Sequence, residues 1–402
     1  MDTHAIHFHL FDVQLINRVG WDGMIKPPDD NEIGWKDTVR MNPLEDVIVA
    51  LRPIRPSTPF GLPNSVRLLD TTQPLNSTMG FTGRDPYTGQ PMPVSNVMYN
   101  FGHEYVWHCH LLGHEENDMM RPIVLAMPPQ GDFNGVGKTD IAIWRPGTGE
   151  WWVKTPANTA MVVALGTTGD KLIPGDYDGD NKTDMAVWRP STGTWYINNT
   201  YSGTQTVAQY GQNGDIPVPG DYDGIGKTEI AIWRPSDGNW YINNTTSGTQ
   251  RVVNYGANGD IPVPGNYDGS STTEIAVFRP STGTWYIINS AGTQSVVQYG
   301  ANGDIPVPGD YDGDGKTDIA VWRNGTWFIT NSATNTQTVV SFGTTGDIPV
   351  PGDYDNIGRA EIAVWRPSTG QWFIQNPLTN TTRIVVWGDP TDQPVKTGQP
   401  VQ

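Results

Sequence analysis

Cysteine is almost absent: Cys109 is the single example among 402 residues, so the chain cannot close an internal disulfide and this thiol is left for other chemistry. No run of 18 or more apolar residues occurs, which excludes a membrane-spanning helix. Basic residues are scarce too, 25 against 42 acidic ones, and the net charge of −17 argues against nucleic acid or anionic membranes as partners. Only 17% of the residues are charged, whereas glycine (46), proline (33) and tryptophan (16) are plentiful. That balance belongs to an all-β protein with many turns, not to a disordered chain. Met1 stands three residues before the first histidine with no leader-like segment between them, so the expectation is a chain that begins inside a domain.

Six of the seven histidines and the cysteine fall in two clusters, His4-Ala5-Ile6-His7-Phe8-His9 and His108-Cys109-His110-Leu111-Leu112-Gly113-His114, with Met119 close behind. A thiolate, imidazoles and a weak thioether are the ligand set that selects a blue-copper centre. Strand alternation puts His7 and His9 on one face and His4 on the other. By the same alternation His108 and His110 share a face from which Cys109 points away. Cys109, His114 and Met119 span a strand end and the following turn or short helix, where they are expected to converge with His4 as a trigonal copper site with an axial methionine. Met120 is the rival axial ligand, and His103 reads as a loop residue. The Pro/Gly/Ser/Thr-rich stretch from Pro53 to Gly102 reads as an insertion, with Met79, Met92 and Met98 serving packing.

The first 127 residues resemble the C-terminal cupredoxin domain of multicopper oxidases, in the bacterial spore-coat laccase and bilirubin oxidase branch. The residues that carry the resemblance are His4-Ala5-Ile6-His7-Phe8-His9-Leu10, Gly34-Trp35-Lys36-Asp37-Thr38-Val39, Tyr105 through His114, and Met119-Met120-Arg121-Pro122. The resemblance implies type 1 copper on His4, Cys109, His114 and Met119, type 2 copper on His7, and type 3 copper on His9, His108 and His110. Glu115 matches an acidic position associated with proton delivery. Ala5 stands where the family has proline, which alters backbone stiffness and no ligand. The family's oxygen-reducing cluster takes about eight histidines, half of them from an N-terminal cupredoxin domain, and this chain offers four on the right faces. Another cupredoxin domain or chain is the expected source of the rest.

From Gly131 onward one unit recurs, starting at Gly131, Gly175, Gly220, Gly265, Gly309 and Gly352, a spacing of 43 to 45 residues. Each copy reads as an Asp-rich turn, a strand such as Ile319-Ala320-Val321-Trp322-Arg323, then two more strands and a Gly-Asp-Ile-Pro-Val-Pro segment. Units this short cannot bury a face alone, and radial repetition into a β-propeller of about six blades solves that problem. The last segment, Trp387 to Val395, looks like the opening of a further unit and is expected to complete the first blade. The units resemble FG-GAP and VCBS repeats of secreted bacterial proteins. In the second and fifth turns oxygens stand at positions 1, 3, 5 and 9, on Asp176, Asp178, Asp180 and Asp184 and on Asp310, Asp312, Asp314 and Asp318, which suits Ca2+. In the other turns position 5 is Val136, Ile225, Ser270 or Ile357. Each copy also has an aromatic pair, Trp151-Trp152, Trp195-Tyr196, Trp240-Tyr241, Trp285-Tyr286, Trp327-Phe328 and Trp372-Phe373. One member of each is expected to fill the interface between blades, with sugar stacking as the alternative.

The expected organisation is a partial cupredoxin domain, a Greek-key β-sandwich, at 1–127, a linker at 128–130, a propeller at 131–395 and a tail at 396–402. The expected function is that of a laccase-like oxidoreductase module using copper, a small-molecule electron donor and O2, which does not turn over in isolation. The alternative is a secreted or surface binding protein whose propeller engages glycan or protein beside a vestigial copper domain. Family resemblance implies an extracellular or periplasmic setting.

Overall fold

The computed structural model describes residues 3–9, 12–51, 66–75, 77–84, 91–96, 98–100, 103–111, 114, 120–125, 129–244, 248–270, 272–398 and 400. It is all-β: among these residues helical backbone is limited to the turn Asp30–Glu32 and to His114. No helix among the described residues is long and apolar enough to cross a membrane. The chain forms two compact units, one drawn from Met1–Ser57 and Ser65–Met127, the other essentially from Pro128 onward.

In the first unit, the antiparallel order of one sheet is Met120–Leu125, His103–Cys109, His4–Phe8, Thr38–Met41. A second sheet is built on Val13–Gly20, which pairs with Ile25–Lys26, Trp35–Lys36 and Glu45–Leu51. Alternation along Val13–Gly20 turns Val13 and Leu15 inward, where they meet Val39 of the first sheet with Phe8, Val47 and Val49 around them. Buried Arg18 is held between Glu32 and Glu45 and donates to the Arg40 carbonyl at 2.8 Å. His103, expected in a loop, instead opens the strand that carries Cys109 and pairs with Leu125.

In the second unit six four-stranded antiparallel sheets follow one another among the described residues. A typical one runs Ile216–Pro217, Ala231–Arg234, Asn239–Asn243, Gln250–Asn254. The two middle strands are buried and the fourth is largely exposed, so it forms the outer rim of its blade. The first blade takes its first strand from the chain's far end, where Gln393–Pro394 pairs with Ala142–Arg145. Backbone bonds link each turn to the next blade in sequence, from Thr183 N to Asp132 O at 2.8 Å through to Ala360 N to Asp310 O at 2.6 Å, and Thr139 N to Asp353 O at 2.7 Å joins the sixth blade to the first. The chain of contacts therefore closes on itself as a six-bladed propeller.

Cores lie between blades. Trp144 and Trp151 of the first blade pack with Met185 and Val187 of the second, and Trp365 and Trp372 of the sixth pack with Ile141 and Ile143 of the first. The first aromatic of every pair is fully buried. Each indole removes roughly 200 Å² from water, about 5 kcal/mol by area as an upper bound. Its N–H is satisfied as well: Trp195 Nε1 donates to Tyr210 O and Trp240 Nε1 to Tyr255 O, both at 2.9 Å.

Candidate metal centre

Register decides which histidines meet. His4–Phe8 pairs with His103–Cys109 so that Ile6 faces Cys109 and His7 faces His108. Residues opposite one another share a face, so His4 and Cys109 lie on one side of the sheet and His7 and His108 on the other.

On the first side, His4 Nδ1 is 3.4 Å from Cys109 Sγ, Cys109 Sγ is 3.7 Å from His114 Nδ1, and His114 Nδ1 is 3.2 Å from His4 Nδ1. The circumradius of that triangle is about 2.0 Å, so one point in its plane stands at metal–imidazole distance from all three atoms. One proton cannot serve three such atoms at once, whereas a soft cation can. Cys109 is fully buried, which shields the sulfur from solvent.

On the second side, the coordinating atoms of His7, His108 and His110 lie within 4.8 Å of one another. His9 Nε2 is 3.1 Å from His108 Nε2. The Asp37 carbonyl, which can only accept, lies 3.1 Å from His7 Nδ1, and the Thr38 hydroxyl lies 3.2 Å away. A proton on Nδ1 of His7 satisfies that carbonyl, and in the neutral ring this tautomer leaves the lone pair on Nε2. These supports escaped the sequence reading, although Asp37-Thr38 lay inside a segment that carried the family resemblance. Ring centroids of His7 lie 5.0 to 5.6 Å from those of His9, His108 and His110, and that of His108 lies 4.7 Å from His110 and 5.2 Å from His9, with His110 and His9 exposed. Met119 and Glu115 lie outside the described residues.

In the propeller, Asp176, Asp178 and Asp180 converge in the second turn and Asp310, Asp312 and Asp318 in the fifth. Asp184 stands at the end of the second turn, where Oδ1 accepts from Thr200 N at 2.7 Å, and Asp314 Oδ1 accepts from Ser332 Oγ at 3.0 Å. Burial, reinforced by neighbouring carboxylates, pushes Asp176 up to about 6, Asp310 to about 7 and Asp318 to about 6.

A second repeated arrangement went unread. In five of the six blades an aspartate 19 residues before the strand-end arginine forms a buried ion pair, as Asp215 with Arg234 at 2.7 Å and Asp170 with Arg189 at 2.9 Å, and in the first blade Asp392 from the chain's far end takes that place with Arg145 at 2.9 Å. The same arginine covers the second aromatic of its blade, with its guanidinium carbon 4.6 Å from the Tyr196, Tyr241 and Tyr286 ring centroids. The 19-residue interval of those five blades was visible in the sequence. It also shows that a face of these rings is already occupied by protein, against their use as open sugar-stacking platforms.

No protein-family model matches the chain. Over 148 residues it is 32% identical to a laccase of Haloferax volcanii, covering 37% of this chain and 17% of that protein. A laccase of Bacillus subtilis matches at 28% identity over 139 residues, 31% of this chain and 18% of that protein. The chain thus spans less than a fifth of the length of these curated relatives, and it is related to laccases over part of its own length. Among solved structures, a streptogramin B lyase is similar with a TM-score of 0.45 at 11% identity, covering 69% of this chain and 94% of that one. TolB of Acinetobacter baumannii is similar with a TM-score of 0.46 at 14% identity, covering 67% of this chain and 66% of that one.

Proposed function

We propose that residues 1–127 form a copper-binding oxidoreductase module of laccase type, a partial cupredoxin sandwich with a type 1 site on His4, Cys109 and His114 and half of an oxygen-reducing centre on His7, His9, His108 and His110. The observation that carries the reading is the triangle of two imidazole nitrogens and a buried sulfur with a common point about 2.0 Å from each. Met119 is assigned as the weak axial ligand and Glu115 as a proton carrier, both on family resemblance. Copper in these sites would supply one-electron oxidation of a phenolic, aromatic or metal-ion donor and, in a complete cluster, reduction of O2 to water.

The protein's own part is positional. Strand pairing sets His4 beside Cys109, and the Asp37 carbonyl holds the His7 ring through Nδ1. Cys109 lies between His108 and His110 in the chain, so the thiolate is covalently continuous with two imidazoles of the opposite face. Four further histidines from another cupredoxin domain or chain would complete the second site, and the isolated chain is expected not to reduce O2 with a phenol. The second and fifth turns are proposed as Ca2+ sites, supported by carboxylates that crowd within one ion's reach. An extracellular or periplasmic setting belongs to the same proposal.

Metal analysis tests both parts. Reconstitution with copper under low oxygen is expected to give about one copper per chain with an intense blue absorption, and about two Ca2+ after dialysis against calcium. Cys109→Ser should abolish the blue band and leave calcium unchanged. Copper bound equally by wild type and Cys109→Ser without a blue band would sink the type 1 assignment, and a calcium-free propeller at millimolar calcium would sink the other.

A further inference from the structure

Four of the six turns lack an aspartate at position 5, and in three of these position 9 is glutamate: Glu229, Glu274 and Glu361. The fully carboxylated second and fifth turns keep aspartate there, Asp184 and Asp318. The extra methylene changes where the carboxyl group ends. Glu274 is buried, accepts from Tyr267 N through Oε2, receives the Ser270 hydroxyl on Oε1 at 3.2 Å, and stands in hydrogen-bond contact with the Asp268 carboxylate. Glu361 is likewise fully buried, accepts from Asp355 N at 2.9 Å and contacts the Asp355 carboxylate, while its Oε1 meets no donor. Two carboxylates cannot bond each other unless one holds a proton.

We propose that Glu274 with Asp268, and Glu361 with Asp355, are acid–carboxylate pairs in which the glutamate keeps its proton at neutral pH and donates it to the aspartate, so that these two turns are closed by a proton.

The surroundings agree. Facing Glu274 are Asp268 of its own turn, the Ser270 hydroxyl and the Tyr267 phenol, while the Ser290 hydroxyl donates to Asp268 Oδ2 at 2.6 Å. Facing Glu361 are Asp353, Asp355, Tyr354 and one cation, Arg383 of the outer strand, which binds Asp355 at 2.9 Å. Burial first, then the adjacent aspartates, pushes Glu274 up to about 8 and Glu361 up to about 9. Asp268 is held below the usual carboxylate range: burial opposes this, but hydrogen bonds from Glu274, Ser290 and Ser270 outweigh it.

A folded-state value above the unfolded one means the folded form binds the extra proton. Stability from these pairs is complete below the ordinary glutamate range and is lost as pH rises to about 8–9. Asp176, Asp310, Asp318, Asp140 and Asp353 act in the same sense but finish by about 7. Lys396, pushed down to about 8 by burial, acts in the opposite sense above that value and is common to every variant compared. The interval from pH 7 to 9 is therefore diagnostic.

The test is the thermal midpoint of the full chain from pH 7 to 9, wild type against Glu274→Gln/Glu361→Gln, in which the amide mimics the protonated acid. Wild type is expected to fall by about 3–8 °C and the double variant by less than half as much. Parallel curves would overturn the proposal. Should the variant not fold, infrared titration of the wild type reads the same groups. A carboxylic-acid carbonyl band that persists at pH 8, above the range of Asp140 and Asp310, and is lost by pH 10 supports the pairs, and its absence at pH 8 overturns them.

Discussion

Cys109 shows how much a residue's neighbours matter. Its spacing from His108, His110 and His114 was legible because ligand chemistry restricts which residue types can cluster. That His4 Nδ1 comes within 3.4 Å of its sulfur depends on a pairing 105 residues apart in sequence. The same holds for Asp215, an ordinary acid in sequence, whose side chain is almost completely buried against Arg234. Asp215 Oδ2 also accepts the Gln212 N–H at 2.9 Å. Asp215→Ala should cost about 2–3 kcal/mol, because it leaves a partly buried guanidinium and an amide unpaired. Urea unfolding of the variant checks this, and a change under 0.5 kcal/mol would show that water replaces the carboxylate without loss.

At the scale of elements, strands and turns of the repeats were readable from alternation and from glycine placement, since both obey local rules. Gly193 closes the hairpin between Met185–Arg189 and Thr194–Asn198 with φ +66°, and an added Cβ would lie 2.2 Å from the Gly211 carbonyl oxygen. Gly203 has nearly the same φ, +64°, but nothing within 4 Å of the added atom. The pair separates backbone preference from collision. Gly203→Ala should cost about 1 kcal/mol, and Gly193→Ala about 2–4 kcal/mol because the backbone must also shift. Equal losses in chemical denaturation would show that the Gly211 loop yields freely. The loop reading for His103 failed at this scale, because Phe101-Gly102 suggested a turn while its partner strand, Met120–Leu125, lay beyond any local window.

For the propeller as a whole, closure rests on a segment far from the blade it completes. Ending the chain at Asp392 would remove Gln393–Pro394, leave Ala142–Arg145 as an uncovered edge and take Val395 from the core around Trp144 and Trp151. A drop in thermal midpoint of about 5–10 °C and early protease cleavage near the first blade are expected, more than either glycine variant produces. An unchanged midpoint would mean that the bond from Thr139 N to Asp353 O and the packing of Trp365 on Ile143 suffice to hold the ring. The repeat period, the all-β class, the ligand types and the Asp-rich turns were determined by the sequence alone, because each follows from residue chemistry at short range. Ring closure at six, the burial of one aromatic per pair under the next blade and the arginine over the other were decided by the tertiary structure. So were the strand pairing that brings the two histidine segments together and the glutamates that lean on aspartates. Each of these depends on strand register and on which blade lies alongside, and both are properties of distant segments brought together.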